Sequence, residues 1–162
     1  MVKLDIGCGN LNSVHSGDHV FFNSKDVIHI DIKKKSYHLE VQTSVNSLPF
    51  KDNFFDISYL SHVLEHLENP LLALKEIKRV TKKTVVVRVP NASYFRFKDE
   101  HEEHLFSWTP STIESLLNKV FTNVKITTSK RYNKKRNYIK KIVFAIATLF
   151  LKNNEIVIIC KC

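Results

Sequence analysis

Six short apolar runs, each rich in β-branched residues, constrain the fold of this 162-residue chain more than any other feature. They read VKLDIG, DVIHIDI, FFDISYLS, TVVVRVP, NVKITTS and EIVIICK in chain order. Each has strand length, and several are apolar on both faces, as strands covered on both sides are. Between them lie segments of helical period. Asn69 is a good N-cap and Pro70 fits a first helical position, after which Leu71, Leu74, Ile77 and Val80 recur at helical spacing. Thr109 and Pro110 open a second helix in the same way, with Ile113, Leu116, Leu117 and Val120 as its apolar face. Strands alternating with helices predict an α/β chain, its mostly parallel sheet covered on both faces. With no internal repeat and no low-complexity linker, residues 1–162 are expected to form one domain.

Glycine sharpens this picture. The chain has three, and two of them, Gly7 and Gly9, sit in LDIGCGN immediately after the first predicted strand. There they permit a tight turn and a close approach of backbone to a ligand. Asp31 ends the second predicted strand, where a carboxylate can accept two hydrogen bonds from a ribose diol. A nucleotide-type ligand across the carboxyl ends of the strands fits both features. The dinucleotide fingerprint needs glycine at position 12, and the chain has Asn12, which disfavours NAD and FAD. S-adenosylmethionine (SAM) has no pyrophosphate and needs less glycine at that turn.

LDIGCGN, HIDI and above all SLPFKDNFFDISYLSHVLEHLENPLLALKEIKRV resemble the class I SAM-dependent methyltransferases, most closely the branch of quinone-biosynthesis and other small-molecule methyltransferases. The likeness runs from about Val2 to Phe121. It implies a Rossmann-like, doubly wound, three-layer α/β/α fold, mostly parallel with an antiparallel C-terminal strand. It also implies transfer of a methyl group from SAM to a small-molecule acceptor. By the same resemblance Asp5, Gly7, Cys8 and Gly9 hold the methionine part of SAM, Asp31 the ribose, and Ile32 the side of the adenine. Ser44 and Val45 stand at the adenine edge, and Ser61 and His62 near the sulfonium. The chain departs from the family pattern at Leu11, where a third glycine is frequent, and at Ser44, where many members carry Asp; both weaken the expected grip on SAM.

Methyl transfer from a sulfonium is an in-line displacement, so the protein is expected to position the reactants, with a base needed only if the acceptor must lose a proton. His104 is the candidate base, with His62 as the second catalytic candidate; Asn91, His104 and Trp108 are expected to line the acceptor pocket. On a helix, His62 and His66 would share a face, while Glu65 and His66 read as structural, capping or orienting loops. No metal site is expected. Asp99, Glu100, His101, Glu102, Glu103 and His104 could supply ligands, but near-adjacent residues on one element cannot all converge, and the stretch reads as a solvated acidic loop. Arg88, inside an apolar strand, either meets an acidic ligand or faces solvent at an edge.

Charge is uneven. The formal net charge is +9, and residues 82–162 carry sixteen Lys/Arg against six Asp/Glu. Residues 125–141 hold eight basic residues and no acidic one. That run reads first as a solvated face, and next as a surface for an anionic substrate, RNA or an anionic membrane. Residues 130–152 form a basic, partly apolar insert between the last two strands and are the candidate lid, since no cover precedes the first strand. The apolar stretch 142–151 is too short to span a bilayer. Three cysteines without a CxxC spacing, and no signal-peptide pattern, predict a reducing, cytoplasmic setting. Two further readings stay open: a SAM-fold scaffold that no longer catalyses, and a methyltransferase acting on RNA.

Overall fold

A computed structural model of the chain describes residues 1–9, 26–33, 39–94, 103–128 and 155–162. They form a seven-stranded sheet of order β3-β2-β1-β4-β5-β7-β6. Its strands are β1 (Lys3–Ile6), β2 (Val27–Asp31), β3 (Val41–Gln42), β4 (Phe55–Ser61), β5 (Thr81–Pro90), β6 (Asn123–Thr128) and β7 (Glu155–Lys161). The first five pair in parallel, and β7 runs antiparallel between β5 and β6. The sheet is therefore the mostly parallel, Rossmann-like arrangement expected, with its antiparallel member at the C-terminal end. All six predicted strands are present. The seventh, β3, is two residues long, too short to show any period in the sequence.

Helix α1 (Pro70–Val80) starts as its sequence dictates: Asn69 Oδ1 accepts the Leu72 N–H at 3.0 Å, with Pro70 in the first turn. Leu74, Ile77 and Val80 are fully buried and Leu71 is half-buried. The helix passes straight into β5. Thr81 Oγ1 donates to the Ile77 carbonyl at 2.6 Å and meets Ser58 Oγ of β4 at 2.5 Å, so one buried hydroxyl joins helix end to sheet. Helix α2 (Pro110–Leu117) opens with a capping box between Thr109 and Thr112. Ile113 and Leu117 are buried, and Val120 falls beyond the helix end.

Both helices follow rightward crossovers, β4 to β5 and β5 to β6, so right-handed connections put them on one face of the sheet. The Lys78 ammonium of α1 donates to the Val120 carbonyl just after α2, at 2.7 Å, which agrees with that placement. The expected layer on the opposite face falls on residues 10–25 and 34–38, outside the described residues. The expected lid at 130–152, the apolar stretch 142–151 and most of the basic run 125–141 lie outside them too, as do Leu11, Asn12, Asp99, Glu100, His101 and Glu102. Among the described residues no helix is long and apolar enough to cross a membrane.

The core lies between this helical face and the sheet, with Leu4, Phe55, Leu60, Leu74, Ile77, Val85, Ile113 and Ile158 all at 0% exposure. An Asn69→Ala change removes the α1 cap and is expected to cost about 1 kcal/mol of unfolding free energy in urea titration, with the fold intact.

Candidate functional site

Parallel strands aligned in register bring their carboxyl ends to one edge, and after β1 the chain order reverses. It runs outward through β2 and β3, then returns to β4 on the other side of β1. A crevice at such a switch point is where open α/β sheets bind ligands. Gly7 and Gly9 lie there, both in the left-handed region, with φ of +70° and +58°. A side chain at Gly7 would collide with Val63, whereas among the described residues a Cβ at Gly9 would meet nothing closer than the Gly7 carbonyl oxygen at 3.9 Å. Among the described residues the turn is thus fixed on one side and open on the other. Gly7 and Cys8 both donate to the Ile30 carbonyl, at 2.9 and 3.2 Å, which ties the turn to β2.

Asp31 ends β2 and faces this turn. Its Oδ2 accepts the Gly9 N–H at 2.9 Å and its Oδ1 the Lys33 N–H at 2.8 Å. Each oxygen retains a further lone pair for a ligand hydroxyl. Ile32 beside it is 65% exposed, an apolar side chain open to solvent at the strand end. Thr43 donates to the Asp31 carbonyl at 2.9 Å and so brings Ser44 and Val45 to the same place. The Ser44 hydroxyl accepts the Asn46 N–H at 3.3 Å, and Val45 is buried. Asp5 does not stand at the turn alone: its carboxylate meets His29 Nδ1 at 2.8 Å, because the two residues are direct partners in the β1–β2 ladder.

Ser61 ends β4, and His62 follows it with a left-handed φ of +54°. His62 therefore precedes the 3-10 turn Leu64–His66 instead of sharing a helical face with His66. Its Nε2 is 3.1 Å from Glu155 Oε1 and its Nδ1 is 3.3 Å from Glu65 Oε1. Burial disfavours the charged ring, but the Glu155 and Glu65 carboxylates outweigh it and push the pKa up to about 9. The two carboxylates thus favour the protonated ring.

Arg88 is neither at an edge nor waiting for a ligand. It is 2% exposed near the carboxyl end of β5, and its Nε and Nη2 both donate to Glu155 Oε2 of β7, at 2.8 and 2.6 Å. The strands pair Arg88 with Val157 and Pro90 with Glu155, which sets the two charges diagonally across the ladder. Sequence reasoning missed Glu155. The signal was there: an acid opening one apolar run and a base within another are natural partners if the two strands are neighbours.

A second group forms past β5. Asn91 is buried, and its Oδ1 accepts the Ser93 N–H at 3.1 Å. The Ala92 N–H donates to the Trp108 carbonyl at 2.8 Å, which brings the segments that carry Asn91 and Trp108 side by side. Trp108 is buried, stacks on Phe106 at 5.3 Å, and has no hydrogen-bond partner for its indole N–H among the described residues. Leu105 and Phe106 donate to the Glu65 carbonyl at 2.8 and 3.1 Å, which holds His104 against the 3-10 turn. The His104 and His66 rings meet edge to face at 4.7 Å.

The sequence matches, over residues 4–88, the profile of the family described as Methyltransferase domain. It is similar to an uncharacterised methyltransferase of Schizosaccharomyces pombe, 56% identical over 39 residues. That stretch is 24% of this chain and 14% of the relative, so the likeness spans a small part of that protein's length. Among solved structures, a SAM-dependent methyltransferase of Archaeoglobus fulgidus superposes with a TM-score of 0.67 at 21% identity, over 99% of this chain and 85% of that one. One of Thermotoga maritima, described as a possible histamine N-methyltransferase, gives 0.68 at 16% identity, over 99% and 81%. These two likenesses show the fold.

Proposed function

We propose, for a chain that belongs to the methyltransferase-domain family, that it transfers the methyl group of SAM to a small-molecule acceptor. The observation that carries this reading is the pairing of a two-glycine, left-handed turn with Asp31, whose carboxylate binds the turn and keeps lone pairs for a ribose. The open side of Gly9 fits a ligand lying against the backbone. SAM, when bound, supplies a methyl group on a positively charged sulfur, so that the acceptor–methyl bond forms as the sulfur–methyl bond breaks.

Gly7, Cys8 and Gly9 would hold the methionine part, with Asp5 bracing the turn from β1. Asp31 would accept from the two ribose hydroxyls, and Ile32, Ser44 and Val45 would surround the adenine. Ser61 and the His62 ring would lie along the methyl path. Asn91, His104 and Trp108 would line the acceptor side, where Trp108 and Phe106 offer an apolar, aromatic wall. The resemblance of residues 47–80 to the quinone-biosynthesis branch supports an acceptor of that small, partly apolar kind, handled within one domain in the cytoplasm. The positive charge of residues 125–141 supports an acceptor or surface that is anionic.

Titration calorimetry with SAM, S-adenosylhomocysteine and NAD tests the cofactor, and transfer of labelled methyl to a panel of phenols, quinols and amines tests the reaction. Both adenosyl ligands are expected to bind, NAD is not, and one acceptor class is expected to take label. Binding without transfer to any acceptor would make the chain a SAM-fold scaffold, and absence of SAM binding would overturn the reading.

A further inference from the structure

We propose that Glu65, His66 and His104 form a binding site for one divalent transition-metal ion, of which zinc is the best match. One donor atom from each residue lies within 4.8 Å of the other two. Donors around a tetrahedral zinc stand about 3.4 Å apart when bonds are about 2.1 Å. The set would contract to that size by small side-chain rotations.

The Glu65 carboxylate is the buried anion of the set, and one of its oxygens already faces the His62 ring at 3.3 Å. The Glu65 side chain is 1% exposed, and neither oxygen has a hydrogen-bond partner among the described residues. A buried carboxylate in that state is normally paired or bound to metal. His62 Nδ1 claims Oε1 at 3.3 Å, which leaves Oε2 as the oxygen for a metal.

The histidines are arranged as ligands are. His66 Nδ1 is 3.0 Å from the Glu103 carbonyl. Donation there fixes the tautomer and turns the Nε2 lone pair outward, the outer contact that metal-bound imidazoles make. The Glu65 carbonyl accepts from Leu105 and Phe106, so the backbone that carries one ligand also positions the segment carrying another. Two imidazoles and one carboxylate suit zinc and its first-row neighbours better than magnesium or calcium, and three protein ligands leave a coordination position open. An imidazole whose lone pair is held by a metal cannot accept a proton. In the loaded protein the base role expected of His104 therefore passes to whatever occupies the open position.

The inference stands apart from the methyl-transfer reading, and its test uses no SAM. Metal-free protein is titrated with Co2+, followed by visible absorption, and the bound Co2+ is then displaced with Zn2+. A Cys162→Ser background removes the exposed thiol as a competing ligand. The expected result is one equivalent bound with the intense d–d bands of a low-coordinate site, about 100-fold or more weaker in both His66→Ala and His104→Ala. Mg2+ is not expected to compete at equal concentration. Because His66 is exposed, its variant tests the ligand set without disturbing the core, while Glu65→Gln shows whether the buried carboxylate is the third ligand. No Co2+ binding, or binding that His66→Ala and His104→Ala leave unchanged, would overturn the site and leave Glu65 as a counter-ion of His62.

Discussion

Replacing Glu155 by Gln is expected to lower unfolding free energy by about 3–5 kcal/mol, the usual effect of stranding one member of a buried ion pair. Arg88 is 2% exposed and would keep its charge after losing the Glu155 carboxylate that takes two of its hydrogen bonds. For a chain of this length that corresponds to a fall in Tm of about 10 °C, measurable by circular dichroism. The pair itself contributes much less than its loss removes. The double variant Arg88→Met, Glu155→Leu is expected to recover part of the stability, because it removes the Arg88 and Glu155 charges together while His62 keeps only the Glu65 carboxylate.

The pair also sets an acid limit. Burial raises the Glu155 pKa, but the His62 ring and the Arg88 guanidinium outweigh it and hold the carboxyl below its ordinary 4.5. A carboxyl with a depressed folded pKa contributes stability in full above that ordinary value and loses it as pH falls through the folded one. Stability of the wild type should therefore drop on acidification below about pH 4.5, and Glu155→Gln should lack that component.

The second large effect is expected at Asp31. Changing it to Ala removes two charge-assisted acceptors for a ribose, each worth about 1.5–3 kcal/mol, and should weaken SAM binding by about 100-fold or more in calorimetry. Part of that loss is indirect, since the Gly9 N–H loses the acceptor that holds the turn in place. Asp31→Asn keeps an oxygen for Gly9 but not the charge, and is expected to fall between the two. Unchanged SAM affinity in Asp31→Ala would remove the ribose role.

The sequence announces what repeats and hides what meets at a distance. β-branched runs, the Asn69 and Thr109 caps and the Gly7–Asp31 spacing are local signals, and the helices and longer strands follow them. β3 escaped because two residues carry no period, and it exists because Ile30 and Asp31 offer an open ladder to Val41 and Gln42. The Arg88–Glu155 pair escaped because 67 residues separate its members, and nothing local records that β7 lies beside β5. The same blindness split Glu65 and His66 from His104. Residues 99–104 alone cannot converge on an ion, and the partner turn lies almost forty positions earlier. The HVLEH spacing would put His62 and His66 on one face only if the segment were helical; the left-handed φ of His62 reflects a chain leaving a strand end.

The position of β7 has a consequence for the order of assembly. Every strand up to β5 finds its neighbour among segments that precede it, so that half of the sheet can zip up progressively. β6 cannot, since its single ladder is to β7, and β7 must enter between it and β5, joining Thr84 to Lys161 and Asn123 to Lys161. Closing those distant pairings loses chain entropy before any ladder returns it, which slows folding. Until that strand arrives, β5 presents an unsatisfied edge of valines, and the half-made sheet is a template for the wrong strand from another copy. Haste in synthesis or refolding should therefore favour association, and conditions that keep chains dilute should favour the native sheet.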